Sequence, residues 1–315
     1  MAGAETPRHR DPSVNEERIL TNTHPSTAWT TYLRQPAVPS AVRPEDFDRL
    51  MRHDERFPRA AAYNPVWVRQ NLMGPNALWL MEDLAERLDF QPGQRVLDLG
   101  CGSAITSIFL AREYGVRVHA VDLWIEPTSN LARIREAGVD ALVAPVEAEA
   151  HALPFARGFF DAIVSVDAYH YFGTDIRYLS YVAQFTKPGG RLGVVVPGNG
   201  IDPDDRPDEV NGPFPELYGA DWFTFRSATW WGRHWRRTTG VTVEEAAMVE
   251  DGWNLWHRHH EAAAAWTGEA IADIGDERLL SDERGRELGF VRLMATVTGE
   301  RPLSLGPGRY ESRLA

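Results

Sequence analysis

The sequence predicts an α/β fold: a doubly wound, mostly parallel seven-stranded sheet with a helical N-terminal cover and a Trp-rich lid insertion. Three observations carry this expectation. From Arg95 to Val196, short apolar runs alternate with helix-like stretches of about 12 residues, the pattern of strands that pair in one direction with helices packed on both faces. The run Asp161 to Val166 is apolar almost throughout, as a strand buried on both sides requires. Val96 to Ala104, V-L-D-L-G-C-G-S-A, places two glycines where a strand hands over to a helix.

In chain order, residues 1–45 read as a flexible tail, broken by Pro36, Pro39 and Pro44. Residues 46–301 form one domain, and 302–315 a C-terminal tail. Phe47 to Arg59 is helix-like. Asn76 to Leu88 carries an apolar stripe at Ala77, Leu78, Leu80, Met81, Leu84, Ala85 and Leu88, and Pro92-Gly93 stops it. Strands are expected at Arg95–Leu99, Arg117–Val121, Ala141–Val146, Asp161–Val166 and Leu192–Val196. Helices are expected at Ser103–Tyr114, Pro127–Ala137 and Asp175–Phe185, with a turn at Lys187–Gly190. The lid spans about residues 199–240: a Gly-, Pro- and Asp-rich stretch followed by Trp222, Trp230, Trp231 and Trp235. Strands at Val241–Val249 and Phe290–Thr298 flank a helix from Trp253 to Ala272.

Composition narrows the function. The net charge of −12 makes duplex DNA or anionic lipid a poor partner. The single cysteine, Cys101, excludes an internal disulfide framework and reads as a small loop residue rather than a nucleophile. Lys187 is the only lysine and precedes Pro188, so a phosphate-cradling lysine loop and a Schiff-base lysine are excluded. No apolar run approaches the roughly 18 residues that span a bilayer. Residues 1–28 lack an apolar signal core, which implies a cytoplasmic protein. The expected partner is a small-molecule substrate, without nucleic acid or stable membrane association; a homodimer is compatible with the sequence.

Glycines at a strand end let a ligand press against bare backbone, and an acid about 20 residues later, Asp122, suits a ribose diol. Asp98, just before the glycines, would repel a pyrophosphate and favour a cation. S-adenosylmethionine has a ribose, an ammonium and a sulfonium, and no phosphate. The pair therefore points to a methyl-donor site and away from a nicotinamide-dependent oxidoreductase, against which the missing third glycine also counts.

Over about residues 70–200 the chain resembles the class I S-adenosylmethionine-dependent methyltransferase superfamily, of the small-molecule type. The resemblance rests on V-L-D-L-G-C-G-S-A at 96–104, the acid Asp122, H-A-L-P-F at 151–155, F-D-A-I-V-S at 160–165 and K-P-G-G-R-L at 187–192. It implies a Rossmann-like sheet and S-adenosyl-L-methionine as cofactor. It also implies that Asp98, Gly100 and Gly102 approach the methionine part, that Asp122 takes both ribose hydroxyls, and that Leu123 and Trp124 cover the adenine. Glu149 and the Ala150 backbone would meet the adenine amino group, and Asp167 would face the transferable methyl. Ser103 and Ala104 stand where the family often has a third glycine.

Candidate chemistry lies in Asp167-Ala168-Tyr169-His170-Tyr171. Methyl transfer by in-line displacement needs alignment above all. His170 has the intrinsic basicity to take a proton from the acceptor, or is a hydrogen-bonded supporting residue. The acceptor atom, O, N, S or C, stays open, and a thioether would need no base. Tyr63, Trp67 and Asn71 are candidates to fold over the cofactor, the alternative being a helix docked on the sheet. Trp253, Trp256 and His260 share a helical stripe that is a buried face or an aromatic-walled pocket. His257, His259 and His260 lack the spacing of a metal site, and none is expected. A second reading, a lipid-modifying enzyme resembling cyclopropane fatty-acid synthases, rests on the Arg233, His234, Arg236 and Arg237 cluster, which otherwise reads as a solvated helix face.

Overall fold

Alternating side chains along the strands build a core on each face of the sheet. The computed structural model describes residues 44–205, 219–267 and 288–299. Its strands are β1 (Arg95–Leu99), β2 (Arg117–Asp122), β3 (Val143–Glu147), β4 (Phe160–Val166), β5 (Thr186–Asn199), β6 (Val241–Met248) and β7 (Leu288–Val297). They form one sheet of order β3-β2-β1-β4-β5-β7-β6. β1 to β5 pair in parallel, and β7 runs antiparallel between β5 and β6. Val96, Val118, Ala162 and Val164 point into one core; Leu97, Leu99, Ile163 and Val194 point into the other. The doubly wound, mostly parallel sheet is the one the sequence predicts.

The helices are α1 (Pro44–Met51), α2 (Pro58–Ala61), α3 (Pro65–Asn71), α4 (Ala77–Leu88), α5 (Ile105–Tyr114), α6 (Pro127–Glu136), α7 (Tyr178–Ala183), α8 (Ala228–Trp235) and α9 (Gly252–Thr267). Asn64 caps α3 by accepting from the Val66 and Trp67 amides, and Asn76 caps α4 by accepting from Leu78. The helix expected over Phe47 to Arg59 divides into α1 and α2, because a proline that starts a helix disfavours helical backbone in the residue before it. α9 packs on α1 and closes its C-terminus: Arg258 donates to the Leu50 carbonyl at 2.8 Å and also to those of Arg49 and Arg52.

Two other elements depart from expectation. The turn at Lys187–Gly190 lies inside β5. Phe160 pairs with Thr186 but Ala162 pairs with Arg191, so the intervening residues bulge from a continuing ladder. The Trp-rich segment divides. α8 buries Trp231 and Trp235 completely under the sheet, each ring within 6 Å of Tyr169 (5.8 and 5.7 Å). Rings of that area stabilise far more as core than as a cover over solvent. The 3-10 turn Gly219–Thr224, with buried Trp222, also packs against the 3-10 turn Tyr169–Tyr171. Arg233, Arg236 and Arg237 are exposed, whereas His234 is buried and its Nε2 lies 3.1 Å from the Gly173 carbonyl. The tails, and the lid residues 206–218, lie outside the described residues.

One charge cluster is buried within the fold. Arg292 of β7 donates to Glu245 of β6 from Nε at 3.0 Å and Nη2 at 2.6 Å, and from Nη1 to Asp83 of α4. Arg87 and Arg56 approach the other Asp83 oxygen at 3.4 and 3.7 Å.

Candidate functional site

The strand order reverses between β1 and β4, and crevices in such sheets open outside the carboxyl ends of those strands. The loop after β1 enters this crevice with Gly100 at φ +74° and Gly102 at φ +53°. A Cβ on Gly100 would lie 2.4 Å from the Ala168 Cβ, and one on Gly102 would lie 2.7 Å from the Met73 Sδ. The first obstacle is held next to backbone; the second is the far end of a flexible side chain. Gly100→Ala is therefore expected to destabilise the protein by about 2–3 kcal/mol, combining left-handed strain with overpacking. Gly102→Ala should cost only about 1 kcal/mol. Urea unfolding of the two variants checks the order.

The loop is tied to the tip of β2. The Gly100 and Cys101 amides donate to the Val121 carbonyl at 2.8 and 3.0 Å, and the Gly102 amide donates to Asp122 Oδ2 at 2.8 Å. Asp122 Oδ1 accepts from the Trp124 and Ile125 amides at 2.8 and 3.0 Å. A carboxylate offers about four acceptor sites, so these three bonds fix its orientation and leave one site for a ligand. Beside it Leu123 and Trp124 are half exposed, and the Trp124 ring meets Tyr171 edge-on at 5.9 Å.

Asp98 faces the α5 layer and is fully buried. Its Oδ2 accepts from the Thr106 and Ser107 hydroxyls at 2.6 and 2.7 Å, while Oδ1 has no partner. Burial, opposed by those two hydroxyls, pushes its carboxyl up to about 6. Burial, with the charges of Asp98 and Asp122, raises the Cys101 thiol well above its ordinary value, so it stays protonated. At the tip of β3, Glu149 turns back on its own loop. Its Oε2 accepts from the His151 amide and its Oε1 faces His151 Nδ1, both at 2.7 Å, while the Ala150 carbonyl accepts from the Tyr178 hydroxyl at 3.0 Å.

β4 ends on Asp167, held at φ 56° with its amide donating to the Val195 carbonyl at 2.8 Å. Burial pushes its carboxyl up to about 8. His170 is 1% exposed, its Nδ1 has no partner, and burial lowers it to about 3, so the ring is neutral at physiological pH. Asp167 gives the protein a pH signature. Above about pH 4 an aspartate in the unfolded chain is ionised, whereas the folded one keeps its proton to about pH 8. Folding then takes up a proton, and this group's contribution to stability falls as pH rises through that window. Asp167→Asn, which suits the left-handed backbone, is expected to remove that part of the decline between about pH 6 and 8 in urea midpoints.

Residues 96–190 match the family model described as a methyltransferase domain. Over residues 96–190 the chain is thus similar to methyltransferase domains. Among similar proteins, methyltransferase GfsG of Streptomyces halstedii is 31% identical over 118 residues, which cover 36% of this chain and 42% of that protein. Phosphoethanolamine N-methyltransferase 2 of Haemonchus contortus, solved with S-adenosyl-L-methionine, superposes with a TM-score of 0.57 at 18% identity, covering 82% of this chain and 61% of that one. Geranyl diphosphate C-methyltransferase of Streptomyces coelicolor A3(2) gives 0.55 at 16%, covering 86% and 99%. The two structures share the fold. The chain spans less than half the length of the curated relatives it matches first.

The N-terminal cover does two jobs. The Asn71 carbonyl accepts from the Ser103 hydroxyl, and Met73 lies on Gly102, so this end of α3 closes over the glycine loop. Tyr63 and Trp67 do not reach it. The Tyr63 hydroxyl donates to Glu113 Oε1 at 3.1 Å, at the far end of α5, where both rings line an open groove of about 350 Å³. For these two the docked-helix alternative holds. The Trp256 stripe is likewise a buried face: Trp256 stacks on Phe290 at 5.0 Å and donates to His260 Nε2 at 2.9 Å. His259 is also buried, and His257 faces Glu261 at 3.7 Å. Among the described residues no group of three or more His, Cys, Asp or Glu is placed to hold a metal ion.

Sequence reasoning missed Thr106, Ser107 and Asp221, and gave Met73 and Ala168 no individual role. A signal existed for Thr106 and Ser107, two hydroxyls opening the helix after the glycine loop. Ala168 and Met73 matter through backbone proximity, which no spacing encodes.

Proposed function

We propose that this protein transfers a methyl group from S-adenosylmethionine to a small-molecule acceptor. The observation that carries the reading is the junction of the first two strand tips, where bare glycine backbone is bonded to Asp122 and backed by Asp98 with one orphaned oxygen. An unsatisfied buried carboxylate oxygen beside glycines fits a cationic ligand. Asp98, Gly100 and Gly102 would hold the methionine part, and Asp122 the ribose through its remaining acceptor site. Leu123 and Trp124 would lie on the adenine, near Glu149 and Ala150. When bound, S-adenosylmethionine supplies a methyl carbon activated by a positively charged sulfur.

The chain's own residues align the acceptor and exclude water. Between the two candidate bases the magnitudes decide. A group lowered to about 3 holds a proton poorly at pH 7, whereas a carboxyl raised to about 8 holds it well. Asp167, once a bound cation ionises it, is thus the proton acceptor, and His170 is a neutral wall. Similar proteins named for phosphoethanolamine and geranyl diphosphate support a small acceptor, and the charge of −12 supports one that is not nucleic acid. Among the described residues no helix is long and apolar enough to cross a membrane.

Calorimetry with S-adenosylmethionine, S-adenosylhomocysteine and NAD tests the donor. The two sulfur nucleosides are expected to bind; tighter binding of NAD would overturn the reading.

A further inference from the structure

Two carboxyl groups converge on one side of the crevice. Asp167 sits at the tip of β4, and Asp221 belongs to the turn Gly219–Thr224 that packs on Tyr169–Tyr171. The Tyr171 phenol is close to both: burial, then the charges of Asp167 and Asp221, raise it. Among the described residues neither carboxylate makes a hydrogen bond or an ion pair, and no positive group acts on either. His170, also without a partner at Nδ1, packs its ring on Tyr171 at 4.0 Å and on Phe225 at 5.6 Å. Elsewhere in the fold the more deeply buried acids are compensated: Asp83 and Asp202 by arginines, and Asp98 by two hydroxyls. Two uncompensated carboxyl groups beside one aromatic ring fit a cation, which would hold them ionised.

We propose that the methyl acceptor is an amine, bound as its ammonium between Asp167 and Asp221 against the Tyr171 ring. This rests on the methyl-transfer reading above. The ammonium gives one N–H proton to the Asp167 carboxylate. The freed nitrogen lone pair forms the N–C bond as the C–S bond of the donor breaks and its electron pair stays on sulfur. Positive charge passes from sulfur to nitrogen, so the product is a methylated ammonium; Asp167 keeps the proton as the product leaves, the form the empty site favours, and loses it to solvent when the next ammonium binds. Asp221 holds charge throughout and keeps the nitrogen in line.

The test is calorimetry on the full chain saturated with S-adenosylhomocysteine, titrated with matched probes: phenethylamine against 2-phenylethanol, and n-butylamine against n-butanol. At least one amine is expected to bind at least about tenfold tighter than its alcohol. Asp221→Asn should erase that preference while S-adenosylhomocysteine affinity and the melting transition stay those of the parent, and Asp167→Asn serves if the first variant fails to fold. If S-adenosylhomocysteine binds but no amine does, or the alcohols bind as well, the amine assignment falls and the donor site stands. If S-adenosylhomocysteine itself does not bind, methyl transfer falls too.

Discussion

Asp122→Ala is expected to weaken S-adenosylmethionine binding by about 10- to 150-fold, since a charge-assisted hydrogen bond from a ribose hydroxyl to its one free acceptor site contributes about 1.5–3 kcal/mol. The same substitution removes the acceptor of three backbone amides, Gly102, Trp124 and Ile125. A buried donor left unsatisfied costs about 1–3 kcal/mol, but the Trp124 and Ile125 amides sit beside exposed side chains that water can replace. A stability loss of about 2 kcal/mol is expected, mainly from Gly102. Asp122→Asn keeps one oxygen and should fall between parent and alanine on both scales. Calorimetry and urea unfolding on the same samples separate the two effects. Donor affinity unchanged in Asp122→Ala would remove the ribose assignment.

Arg292→Ala carries the largest expected stability effect. Breaking a buried ion pair from one side costs about 3–5 kcal/mol, because the remaining charge stays desolvated. Arg87 and Arg56 still reach Asp83, and Glu245 is partly exposed, so the lower end, about 3 kcal/mol, is expected. Removing Asp83 as well should recover part of that loss, since an apolar cluster of similar volume tolerates burial better than a lone acid. A double-mutant cycle by urea unfolding measures the coupling. Additive losses would show that Arg292 acts by packing alone.

The sequence made legible what depends on short spacing. The strand tips, the glycine turn and Asp122 all follow from local pattern, and β1 begins and ends where expected. Orientation was less accessible. Nothing within Val96–Ala104 tells that Asp98 turns toward Thr106 and Ser107 and is buried there. A stripe of tryptophans reads the same whether it covers a pocket or fills a core; only the packing of α8 under the sheet decides for Trp231 and Trp235. Glu149 was placed by resemblance, yet its oxygens are engaged by His151, two residues away, through rotamers a sequence does not display. Asp83 and Arg292 are 209 residues apart, and Asp221 meets Tyr171 only because a 3-10 turn folds across it.

The place of β7 has a consequence for biosynthesis. Among the described residues this strand is the last in sequence yet lies between two that precede it. As the polypeptide leaves the ribosome, β5 can join its parallel neighbours early, but its free edge stays open to other chains until Leu288–Val297 appears. β6 emerges with no neighbour at all. The nascent protein therefore waits, half assembled and adhesive, for its final stretch, and a message cut short before that stretch should yield aggregates in place of a smaller working enzyme.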